Sequence, residues 1–106
     1  MSVTTVTSSG TAQTVLGAQS VAITNYNIAI ASTEYSHSLQ SNLKQLIIKP
    51  RGDARLQVSF ASGESGTKYV TIPKGAVLNM SDLTFSGKTL YMQANKTGIV
   101  EIMELY

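Results

Sequence analysis

The sequence predicts an all-β fold, an antiparallel β-sandwich or jelly-roll-like barrel with an extended N-terminal arm. Three observations predict it. Apolar and polar residues alternate along most of the chain, whereas every helical window is broken by Gly, Pro or dense Ser and Thr before reaching about 10–12 residues. Glycines at 52, 63, 66, 75, 87 and 98 place a turn residue between short runs, the spacing of small antiparallel folds. Finally, residues 1–33 contain no Asp, Glu, Lys or Arg, and every charged side chain lies between Glu34 and Glu104.

The neutral segment comes first in the chain. Val3, Val6, Val15, Val21, Ile23, Ile28 and Ile30 are threaded through Thr4, Thr5, Thr7, Thr11 and Thr14. β-Branched residues suit a pleated surface, and a solvated tail would carry more charge. Strands are expected near residues 3–7, 12–16, 20–24 and 26–31, with Gly10 and Gly17 as breaks. Tyr35, His37 and Leu39 share one face of a strand near 34–40. Leu46 and Ile48 mark 44–49; Leu56, Val58 and Phe60 mark 54–60; Val70 and Ile72 mark 67–72. Ala76, Leu78 and Met80 define 76–80, and Leu83 and Phe85 define 82–86. Leu90, Met92 and Ala94 follow on 88–94. A last strand near 98–105 is apolar on both faces, which suits a central or interface position.

Residues 26–106 therefore read as one compact β-sandwich domain, and residues 1–25 as an uncharged N-terminal arm or edge strands. An arm that adds a strand to a neighbour obtains affinity from main-chain hydrogen bonds and needs no charge. The expected core is Ile28, Leu46, Ile48, Val58, Phe60, Ile72, Leu78, Phe85, Leu90, Met92 and Ile102. Candidate interface residues on the arm are Val3, Val6, Val15 and Leu16.

The composition narrows the function. A chain of 106 residues buries a real core without cross-links, and with no Cys it has none. Only 13% of residues are charged, about half the usual quarter, which suits a subunit that hides surface in an assembly. A net charge of +2 is too small for a strongly basic nucleic-acid binder. The N-terminus lacks the charged start and apolar core of a secretory signal, and no apolar run is long enough for a membrane helix. The product is expected to be soluble and made in the cytoplasm.

The motifs favour plain readings. Pro50-Arg51-Gly52-Asp53 contains an integrin-type tripeptide, but Pro, Gly and Asp there also make an ordinary turn between two strands. Ser86-Gly87-Lys88-Thr89 ends like a phosphate-binding loop, yet Asp82 stands where the first Gly belongs and a strand follows. Lys44, Lys49, Arg51 and Arg55, opposed by Asp53, form the densest basic cluster, read as a solvated strand edge. His37 is the sole histidine, and catalysis would need a nucleophile and an orienting carboxylate beside it. No catalytic, cofactor-binding or metal site is expected.

Asn42-Leu43-Lys44-Gln45-Leu46-Ile47-Ile48-Lys49-Pro50, the Gly52-Asp53 turn, Leu56-Gln57-Val58-Ser59-Phe60 and the bend at Ile72-Pro73-Lys74-Gly75 together resemble small structural proteins of tailed-bacteriophage virions. The resemblance covers residues 42–80. It implies a non-enzymatic virion component, either a capsid decoration or cement subunit or a head or tail piece, that stabilises the particle through inter-subunit contacts. The partners implied are further copies of the chain, as a homo-oligomer with a trimer favoured, and virion proteins such as the major capsid protein. Neither a membrane nor nucleic acid is expected as a partner. The place implied is the virion, assembled in the host cytoplasm. The alternative is a receptor- or glycan-binding adhesion module of a phage fibre or tail, which calls for several of Tyr26, Tyr35, Tyr69, Tyr91 and Tyr106 on one outer face.

Overall fold

A computed structural model describes residues 20–106 throughout and, before them, the backbone of two short strands. These are β1 (Thr4–Val6) and β2 (Ala12–Thr14), which pair antiparallel with Thr4 opposite Thr14. The body contains β3 (Val21–Ile28), β4 (Tyr35–Ser38), β5 (Gln45–Pro50), β6 (Leu56–Ser59), β7 (Val70–Ile72), β8 (Leu78–Met80), β9 (Thr89–Ala94) and β10 (Gly98–Leu105). The described residues form no helix. Val3, Val15 and Leu16 lie outside the described residues, and of Val6 only the backbone, at the end of β1, is described.

Two antiparallel four-stranded sheets make the body, ordered β3-β10-β5-β8 and β4-β9-β6-β7. Successive strands switch sheets at every connection except β6 to β7. That winding is a jelly roll, two sheets built from interleaved Greek keys. The alternation seen in the sequence generates its core directly. Val100, Ile102 and Glu104 of β10 point inward beside Leu46 and Ile48 of β5, facing Leu90 and Met92 of β9 and Leu56 and Val58 of β6. Each large apolar side chain so buried contributes about 1.5–3 kcal/mol.

Eight of the expected core residues are fully buried, while Phe60, Leu78 and Phe85 pack only at the margin of the cluster. Phe60 lies past the end of β6, and Leu78 is on an edge strand. Leu39, Leu43, Ala54, Leu56, Ala94, Val100 and Leu105 are buried as well.

Several boundaries shift. The two strands expected at 20–24 and 26–31 are one, β3, because Asn25 and Asn27 point their side chains to solvent while the backbone runs on along β10. The division expected between residues 25 and 26 therefore falls inside a strand, and Ser20 already exchanges two backbone hydrogen bonds with Tyr106. No strand forms at 82–86. Asp82 adopts φ 56°, which ends extended backbone, and only a single bridge joins Leu43 to Phe85. Gly52 (φ 73°) and Gly87 (φ 69°) are turn residues as expected, but each lies in an arch between sheets rather than in a hairpin.

Candidate functional site

The most distinctive chemistry is buried between the sheets. Alternation on β4 turns Tyr35 and His37 inward, and alternation on β10 does the same for Glu104 from the opposite sheet. His37 Nε2–H donates to Glu104 Oε1 at 2.7 Å, and the backbone N–H of Gln40 donates to Oε2 at 2.7 Å. The carboxylate, being acceptor-only, requires the imidazole nitrogen to be the donor. Glu104 is 1% exposed and the His37 side chain 16%. Tyr26 stacks edgewise on both Tyr35 and His37, with centroids 6.0 and 6.1 Å away. Its hydroxyl donates to the Ser36 carbonyl at 3.1 Å.

The pair has the first two members of a hydrolytic triad. The nearest serines in sequence, Ser36 and Ser38, are exposed on the other face of β4. Among the described residues no group of three His, Cys, Asp or Glu could hold a metal. The arrangement acts as a clamp between sheets: one charge-assisted hydrogen bond to a side chain and one to the main chain, both shielded from water. Glu104 is not among the candidates read from the sequence. Its parity with Val100 and Ile102 is the signal that places it inward, where a carboxylate demands an internal partner.

Glu34 is a second anchor. Its carboxylate accepts from the Ser65 hydroxyl (2.5 Å), the Gly63 N–H (2.9 Å) and the Ser65 N–H (3.1 Å). These bonds, the Ser65 hydroxyl foremost, hold its carboxyl below the ordinary value. The anchor pins the turn-rich loop between β6 and β7 against the second sheet.

The basic cluster of the sequence disperses. The length of β5 separates Lys44 from Arg51, and Lys49 projects from the outer face of the first sheet. Arg51 reaches Glu101 at 3.4 Å, so the Arg51-Gly52-Asp53 turn has its guanidinium engaged within the subunit. Arg55 instead borders a shallow depression with Asp53, Lys74 and Lys96, gathered from three connections. The tyrosines divide as well. Tyr26 and Tyr35 face inward, Tyr91 lies on the outer face of the second sheet, and Tyr69 and Tyr106 lie elsewhere.

Two apolar surfaces remain. Ile23, Met103 and Ile47 form a transverse row across the outer face of the first sheet, set by the registers of β3, β10 and β5. On the opposite side, the seam between edge strands β7 and β8 opens a groove lined by Val58, Phe60, Val70, Leu78 and Met80. Comparison with known proteins finds no family model, curated protein or solved structure that matches this chain.

Proposed function

We propose that the protein is a non-enzymatic virion structural subunit of the capsid-decoration or cement kind, stabilising a particle through contacts with its own copies and with the major capsid protein. One observation carries the reading. The charge-free run of residues 1–33 does not stop at the body but enters it as β3, an edge strand. There and just beyond it, Ile23 and Ile30 are 71% and 61% exposed. Isolated exposed apolar residues are ordinary; a whole neutral third of a chain, continuous with an edge that no described strand covers, suits a surface covered in an assembly. The jelly roll fits this use, although the same architecture serves lectins too. The histidine–carboxylate pair is consistent with a non-enzymatic role, since both groups are spent on joining the sheets.

The test uses heads assembled from the major capsid protein of the virus that encodes the chain. Added full-length protein should co-sediment with them and raise their resistance to heat. A chain starting at Ser20, which leaves β3 intact, should bind at least tenfold more weakly. Heads that neither bind the full chain nor gain stability would refute the reading.

A further inference from the structure

We propose that β3 is a self-pairing edge, along which two copies of the chain join antiparallel about a two-fold axis through Thr24. The inference stands on strand geometry and does not rest on the virion reading.

The lateral direction of each peptide group in β3 follows from one pair. Ser20 and Tyr106 exchange both backbone hydrogen bonds, at 2.7 and 3.0 Å. In an antiparallel ladder such pairs recur at every second residue. The unbroken register therefore turns Ala22, Thr24, Tyr26 and Ile28 toward β10. Val21, Ile23, Asn25 and Asn27 accordingly direct their N–H and C=O groups away from the sheet. Among the described residues no strand lies beyond them.

The other three edges of the sandwich are short: β4 has four residues, and β7 and β8 three each. Short edges are a standard protection against unwanted pairing, as are Lys, Pro and bulges. β3 has eight residues and none of those devices. Its occupant is best another β3. An antiparallel register about Thr24 sets Val21 opposite Asn27 of the second copy and Ile23 opposite Asn25 of the second copy. Every outward-facing residue then exchanges both of its backbone bonds, and no charge meets a like charge. The two first sheets merge into one, and the exposed side chains of Val21 and Ile23 gain neighbours across the seam. A contact of this kind is isologous and closes as a dimer, whereas a trimer needs a head-to-tail contact from a different surface.

Light scattering across a concentration series, with residue-resolved amide exchange on the same full-length samples, tests this. Wild type should form a concentration-dependent dimer in which the amides of Val21, Ile23, Asn25 and Asn27 become protected. The double variant Ile23→Lys/Asn25→Lys places Lys opposite Lys twice and should weaken dimerisation about tenfold. Ile23→Lys/Asn25→Glu places Lys opposite Glu in the same register and should restore it. All four side chains project to solvent in the single subunit, so the fold should tolerate both variants, checked by Tm. A monomer at every concentration overturns the proposal. So does protection of those four amides in a monomer, which would assign the edge to the chain's own N-terminal segment. Equal dimerisation of both variants and wild type would place the contact on another surface, and overturns it too.

Discussion

Truncating His37 to Ala would strand the Glu104 carboxylate between the sheets with only the Gln40 N–H as partner. Leaving a buried carboxylate without its strongest hydrogen-bond donor costs about 3 kcal/mol. For a domain of this size that is roughly 15 °C in Tm, and a large part of the 5–15 kcal/mol that such domains possess. Glu104→Gln keeps an acceptor for Gln40 and removes the charge, so it should cost less, about 1–2 kcal/mol. Replacing both members, as His37→Leu/Glu104→Leu, relieves the desolvation of two polar groups but orphans the Gln40 N–H at about 1–3 kcal/mol. The double variant should therefore be no less stable than His37→Ala alone. Urea denaturation of His37→Leu, Glu104→Leu and the double variant, read with wild type as a thermodynamic cycle, measures the coupling directly. A His37→Ala loss below about 1 kcal/mol, with no coupling to Glu104, would refute the clamp.

Two further outcomes concern the loops. Glu34 has its folded-state pKa lowered by Ser65 and Gly63, so its contribution is complete above the ordinary value of 4.5 and fades as pH falls through the lowered one. Denaturation midpoints at neutral and acid pH should show Glu34→Gln losing about 1 kcal/mol at neutrality, with the difference from wild type shrinking toward low pH; a constant difference would contradict the anchor. Gly52→Ala meets no atom within 4 Å but must hold φ +73°, so it should lose about 1 kcal/mol by thermal melting, and a variant as stable as wild type would show that the arch relaxes.

The core was legible where its cause is local. Leu46 with Ile48 and Leu90 with Met92 sit two residues apart on strands, and period two alone assigns them to one face. Phe60, Leu78 and Phe85 show the same period yet lie at the margin, because where a strand stops and which strand is an edge are set by pairing partners far away in sequence. The sequence reads as separate strands at 20–24 and 26–31; pairing to β10 joins them and moves the start of the body to Ser20. The His37–Glu104 pair depends on which inner faces meet. Parity could place Glu104 inward, but nothing in the spacing of β4 and β10 brings the two together.

The order of strands within the sheets has a consequence for how the molecule forms. β10 lies between β3 and β5, and β9 lies between β4 and β6, so one of the two interior strands of each sheet is among the last two in sequence. Until they arrive, β3 and β5 are not neighbours, and neither sheet can propagate from a local hairpin except at β6–β7. Contacts of such long range make folding slow, on the order of milliseconds to seconds. During that interval the β10 side of β5 is open to foreign strands, its other side being the partner of β8. Insertion of β10 then closes the first sheet and carries Glu104 to His37.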